Sequence, residues 1–179
     1  MLKLITSDTE FFDDVDQTFK TIPGRELMFE HSLVSLSKWE SLWEKPFLGK
    51  EEKSTEETTS YLLCMAVTPD VTLQDIQALD GAQIRLMRSY IDRTMTATTF
   101  RESKGTPNSE IMTAELFYYS MITFNIPFEC QYWHLKRLTT LIQVCAAKQE
   151  KPKKMSKSEL AARNRSLNAQ RRKDLNSSG

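Results

Sequence analysis

Two of the chain's three cysteines and one of its two histidines fall in a single stretch, "NIPFECQYWHLKRLTTLIQVC", from Asn125 to Cys145. Cys130 and His134 are four residues apart, a spacing that places both on one side of a helix, and Glu129 stands beside the cysteine. Such a pair can act as a thiolate nucleophile with its base, provided a third group orients the imidazole. No third residue suggests itself. Placed on a helical wheel, Phe128, Cys130, Tyr132, His134, Leu135, Leu138, Leu141, Ile142 and Cys145 share one broad apolar arc, while Glu129 points away. On such an arc a cysteine is a small hydrophobe, and burial raises its pKa and suppresses the thiolate. The expectation is a packed cysteine and a hydrogen-bonded core histidine.

Metal chemistry has the same shortage of parts. Structural zinc takes four nitrogen or sulfur ligands, usually in closely spaced pairs. The candidates are His31, Cys64, Cys130, His134 and Cys145, with no C-x-x-C and no H-x-x-x-H among them. The chain also has no glycine-rich phosphate loop and no nucleophile elbow. The reading is therefore non-enzymatic, with no catalytic residues, no metal and no cofactor.

The elements that would carry these residues are mostly helical. "SLVSLSKWESLWEK" repeats Leu33, Leu36, Trp39 and Trp43 on one face and ends at Lys45-Pro46, since proline disfavours helix in the residue before it. Ser54-x-x-Glu57 has the form of a capping box for a helix running towards Pro69, and Thr72 and Asp75 suit the cap of a short turn. "GAQIRLMRSYIDRTM" turns Ile84, Met87, Tyr90 and Ile91 inward. After the linker "TATTFRESKGTPNS", with Asn108 or Ser109 as cap, "EIMTAELFYYSMITFNI" is apolar almost all round and is expected to be the central buried helix. Pro127 then starts a helix extending through residue 147. At the N-terminus, "LKLIT" and "TFKTIPGRELMFEHSL" read as short strands around acidic loops, broken at Pro23-Gly24. Ser156-x-x-Glu159 suits the cap of a last helix, "LAARNRSLNAQRRKDL". The fold class is mainly α, with a β-hairpin element over 1–30, a helical core over 31–149 and a basic helical tail over 150–179.

At 179 residues, such a chain can bury roughly two-thirds of its unfolded surface without disulfides or metal. Three cysteines at irregular spacing argue against a secreted disulfide framework. Acidic residues follow "MLKLITSDTEFFDD" where a secretory leader would be apolar, and no long apolar run suits a bilayer. A cytoplasmic setting without membrane contact is expected. The 24 basic and 24 acidic side chains cancel, but unevenly. From Glu150 onward there are nine basic and three acidic residues, a net of +6, which leaves −6 for residues 1–149. A split of this kind marks a tail that binds a partner or folds back on its own acidic body.

Two partner surfaces follow. Trp133 and Val144 lie opposite the apolar arc, and exposed tryptophan is typical of binding hot spots unless another part of the chain covers it. The tail shows a thin stripe, Leu160 and Leu167 with Leu175 beyond, beside Arg163, Arg165, Arg171, Arg172 and Lys173. A helix this polar wants a partner surface or an acidic polymer. No aromatic residue is interleaved with its charges to stack on bases, which counts against nucleic acid.

The segments "EHSLVSLSKWESLWEKPFLGKEEKSTEET", "YIDRTMTATTF", "SEIMTAELFYYSMITFNIPFECQYWHLKRLTTLIQVC" and "KKMSKSELAARNRSLNAQRRKDLNSSG" together resemble a tail assembly chaperone family of long-tailed bacteriophages of the siphophage type. The resemblance runs from Glu30 to the C-terminus, and "SKWE", "WEKPF", "MTATTF" and "IPFECQ" with "WHL" are its distinctive parts. It implies a small helical protein of the host cytoplasm. Such a protein binds the long apolar tape measure protein before the tail tube forms, and it oligomerises and recruits tube subunits. Trp133, with Trp39 or Trp43, would then offer aromatic surface to the client. The rival reading is a structural virion component, such as a head–tail connector or tail terminator.

Overall fold

The computed structural model describes residues 1–100, 111–149 and 157–175. The chain divides into two compact units, Met1–Ala146 and Ala147–Gly179. The first unit is mainly helical with a small β component. No described helix is long and apolar enough to cross a membrane.

Strand β1 (Leu2–Ile5) pairs antiparallel with β4 (Glu26–Phe29), Leu4 facing Leu27 in the register. Between them β2 (Thr9–Asp13) and β3 (Thr18–Ile22) form a second two-stranded sheet, so the acidic segment expected as a loop is itself half strand. Asp13 closes that hairpin by accepting from the Val15 and Asp16 backbone N–H groups, and Gln17 takes the left-handed conformation. Pro23-Gly24 separates β3 from β4 as expected. Gly24 passes so close to β1 that a Cβ there would lie 2.2 Å from the Thr6 carbonyl oxygen. Only glycine permits this approach.

Local sequence rules account for most helix starts. In α1 (Leu33–Trp43) Ser32 and Ser35 cap reciprocally, and Glu44 in the left-handed conformation ends the helix before Lys45-Pro46. In α2 (Thr55–Met65) the Ser54/Glu57 capping box forms, and in α3 (Leu73–Gln77) the Thr72/Asp75 pair does the same. Asp80 and Gln83 cap α4 (Gly81–Asp92), which buries Met87 and Tyr90 and half-buries Ile84 and Ile91, the face expected of it. Asp75 also receives two hydrogen bonds from the Arg25 guanidinium, at 2.9 and 2.7 Å, which ties α3 to the start of β4. Burial pushes the Asp75 carboxyl up, but Arg25 and Thr72 outweigh it and hold the group below its ordinary value.

The second half of the unit departs from expectation. Helix α5 spans Ala114–Thr123 and begins after Thr113; Asn108 and Ser109 lie outside the described residues. It is not the central buried helix. Ala114, Phe117 and Met121 are buried, whereas Tyr119 is 67% and Ile122 62% exposed. The central role belongs to α1. Its Trp39 enters a core with Leu4, Leu27, Phe29, Met65 and Met87, while its Leu33 and Leu36 enter a second core with Phe117, Met121 and Leu138. Apolar periodicity shows which faces can be buried, but the surrounding elements are too few to cover every apolar face of α5.

No continuous helix runs from Pro127 to residue 147. Phe128–Tyr132 form a 3-10 turn, Trp133 is extended, and α6 starts at Leu135 and ends at Gln149. A 3-10 turn has three residues per turn, so the wheel drawn at 3.6 fails there. Phe128 and Tyr132, expected in the core, are exposed, while Cys130, Leu135 and Leu138 are buried.

The second unit holds α7 (Lys157–Asp174), whose described side chains are all exposed. Ser156 and the Glu159 side chain, expected as its cap, lie outside the described residues.

Candidate functional site

Both histidines of the chain meet in the interior of the first unit. His31 sits between β4 and α1, His134 between the 3-10 turn and α6, and their rings lie 5.1 Å apart, edge to face. Backbone pairing joins the two segments: the Leu135 N–H donates to the His31 carbonyl at 2.7 Å, and Ser32 bridges His134. This bridge interrupts the helix that periodicity predicts. His134 Nε2–H donates to the Tyr90 carbonyl at 3.0 Å, and Nδ1 accepts from the Lys136 N–H at 3.3 Å. The neutral tautomer therefore satisfies both ring nitrogens, and a second proton would turn the Nδ1 acceptor into a donor facing another donor. His31 Nδ1 bonds the Tyr61 hydroxyl, which also lies 3.4 Å from Ser35 Oγ. The Tyr90 hydroxyl donates to Glu30 Oε1 at 2.7 Å.

The two imidazoles are 3% and 4% exposed. Burial, helped by His134 and Lys136, lowers the His31 pKa to about 3; burial likewise lowers His134, against opposing pulls from the Tyr90 carbonyl and Glu30. Burial also raises both tyrosines. Ser35 Oγ donates to the Ser32 carbonyl and accepts from the Ser32 N–H, so its hydroxyl is committed to the helix cap. The two imidazoles, the two phenols and the Ser35 hydroxyl join α1, α2, α4 and α6 as neutral hydrogen-bonding partners, and Glu30 links the network to the Met1 ammonium at 2.7 Å. Cys130 is buried, and its thiol is pushed up by burial and by Glu129. Among the described residues, no group of three His, Cys, Asp or Glu side chains is placed to hold a metal.

Beside this network a cleft of about 370 Å³ opens between α1, the end of α2 and the 3-10 turn. Its walls are mostly apolar, formed by Val34, Met65, Ala66, Val67 and Tyr132, with Lys38 and the ion pair of the Met1 ammonium with Glu30, at 2.7 Å, among them. Tyr132 and Val67 stand exposed on the rim. Cys64 lines the cleft too, and burial raises its thiol pKa although Lys38 opposes this. Sequence periodicity misplaces Tyr132 in the core. The signal available was Pro127 followed by residues that alternate apolar and polar from Phe128 to Tyr132, a period that does not suit a helix.

The expected partner residues fall in both units, Trp133 and Val144 in the first and the α7 residues in the second. Trp133 is half-buried against the second core, and the Arg137 guanidinium covers its ring at 4.0 Å. Val144 is half-buried on α6, nine residues past Leu135, or about 14 Å along the helix axis. Leu160 and Leu167 are 45% and 41% exposed on α7, and Arg171, Arg172 and Lys173 are exposed with them in the second unit. Trp39 is core rather than surface, and Trp43 is half-buried. The Trp39 Nε1–H donates to the Glu57 carbonyl at 2.8 Å, while that of Trp43 donates to Ser60 Oγ at 3.1 Å.

A stability consequence follows for Trp133. Replacing it with alanine should cost about 2 kcal/mol, less than a fully buried tryptophan, because packing and the cation–π contact are lost together. Urea unfolding would measure this, and a change below about 0.5 kcal/mol would return Trp133 to the surface.

Compared with known proteins, the chain matches no family model, no curated protein and no solved structure.

Proposed function

We propose that this protein is a non-enzymatic tail assembly chaperone of a long-tailed bacteriophage, which binds the tape measure protein in the host cytoplasm. The family resemblance of the sequence motivates the reading. The structural observation that supports it best is the apolar cleft beside Tyr132. A long apolar helix left in water aggregates, and a protein that shields it needs grooves that accept side chains at i, i+3 and i+4. A cleft of about 370 Å³ with apolar walls has room for two or three such side chains. Exposed Tyr132 and Val67 offer apolar contact at its rim, and Lys38 offers a charge beside it.

Co-expression tests this directly. The wild-type protein should hold a fragment of the tape measure protein in the soluble fraction. Val67→Asp, which places a charge on the apolar rim, should lose most of that effect. Tyr132→Ala should lose at least half, with stability changed by less than about 0.5 kcal/mol because the side chain is exposed. Failure of the wild type to solubilise the fragment, or full activity in both variants, would remove this reading.

A further inference from the structure

The boundary between the two units divides the charge evenly. Of the 24 basic residues, ten lie from Ala147 onward and 14 before it; of the 24 acidic residues, three and 21. Unit one therefore carries −7 and unit two +7. Helix α7 bears much of the positive charge, and its leucines stand exposed seven residues apart, two helical turns. An 18-residue helix with so few apolar groups is marginal on its own in water and gains stability when a partner covers it.

We propose that α7 of one copy docks on the acidic face of unit one of a second copy, seated at the cleft beside Lys45 and Pro46. This cleft, of about 280 Å³, carries the carboxylates of Glu44 and Glu115. Lys45 and Pro46 also border a second, smaller hollow that bears Glu51 and Glu52 together with one further cation, Lys53, whose ammonium lies 4.6 Å from the Phe47 ring. Carboxylates still outnumber cations across the two hollows. Glu44, Glu51, Glu52 and Glu115 are all exposed. The Lys45 ammonium beside them is already bound to Glu57 at 2.9 Å, so it offsets little of this field. Arg171, Arg172 and Lys173 supply the complementary charge at one end of α7, and Leu160 and Leu167 supply apolar contact. A nucleic acid fits less well. The leucine stripe has no role on a phosphate backbone, residues 147–179 contain no aromatic side chain for base stacking, and unit one would repel the polyanion. A contact between two different surfaces is heterologous, so each docked pair leaves one tail and one acidic face open for further copies.

The full-length protein, without any client, should show a mass that rises with concentration from roughly 1 to 100 µM in sedimentation velocity at low salt. High salt should weaken the association steeply, because exposed charges are screened beyond about 3 Å at ~1 M. Reversing the tail (Arg171→Glu, Arg172→Glu, Lys173→Glu) or the face (Glu44→Lys, Glu115→Lys) should each weaken self-association by at least about tenfold. All five side chains are exposed, and an unchanged circular dichroism spectrum would verify folding. Mixing the two variants should restore association, because the unaltered tail of one meets the unaltered face of the other. A wild-type protein that stays monomeric, an association indifferent to salt, or a mixture of folded variants that does not associate would each overturn the proposal. Tighter binding of the wild type to a duplex oligonucleotide than to itself would do so too. Since no client takes part, these outcomes are separate from those of the chaperone test.

Discussion

Replacing Glu40 with alanine should destabilise the protein by about 3–5 kcal/mol, lowering the melting temperature by roughly 10 °C. The Glu40 side chain is buried on α1, and its two carboxylate oxygens accept from two separate backbone groups, the Phe47 N–H at 2.8 Å and the Ala114 N–H at 2.7 Å. The first holds the loop after Lys45-Pro46 against α1. The second stands where a cap would at the start of α5, since Thr113 makes no side-chain cap of its own. A carboxylate at this end of a helix is favoured by the helix dipole as well as by the hydrogen bond. Alanine would leave two N–H groups without their partner and a cavity between α1 and α5. Glutamine keeps one acceptor oxygen but turns an N–H₂ towards the other donor, so Glu40→Gln should cost about half as much. Denaturant unfolding of both variants would decide the matter. A loss below about 1 kcal/mol for the alanine variant would show that the clamp contributes little.

Mild acid should destabilise the protein through its two histidines. His31 is lowered to about 3 in the folded state and His134 is lowered as well, whereas an unfolded histidine titrates near its ordinary 6.5. Between these values the unfolded chain binds more protons than the folded one, so unfolding is favoured as pH falls. The stabilisation is present in full above about pH 6.5 and is lost progressively below it. At about 1.4 kcal/mol per pH unit, His31 alone should account for about 2 kcal/mol lost between pH 6.5 and pH 5, and His134 adds to this. Asp75 and Glu57, held below their ordinary values, lose their contribution only at lower pH, which keeps this window attributable to the imidazoles. Unfolding free energy measured from pH 7.5 to 5 should show this fall. His134→Gln, whose amide can still donate towards the Tyr90 carbonyl, should lower stability at pH 7.5 yet flatten the slope below it. Stability that stays level to pH 5, or a slope unchanged in variants lacking either histidine, would be incompatible with a neutral buried pair.

Several features of the fold are legible in short stretches of sequence because their causes are local. Ser54 with Glu57 and Thr72 with Asp75 are three residues apart, within reach of each other whatever the rest of the chain does. The stop at Lys45-Pro46 and the inward face of α4 follow from backbone sterics and from period 3.6. The burial of Cys130 and His134 is legible too, although the wheel that suggests it wrongly assumes one continuous helix. The tail helix and its excess of positive charge need no tertiary information at all.

Only the tertiary structure decides what distant segments do to one another. Nothing near Glu40 in sequence indicates that it will bond a backbone group 74 residues away. The break at Trp133 is set by pairing with residues 31 and 32, whose hydrogen bonds take the place of the helical ones that periodicity predicts. The same pairing brings the two histidines together and turns Tyr132 outward to the rim of the apolar cleft. Which side of an all-round apolar helix such as α5 stays wet is likewise settled by what packs beside it. Local patterns record the preferences of a segment for itself and for an apolar surface. They carry no address for the surface, so the choice among partners falls to the closure of the whole chain.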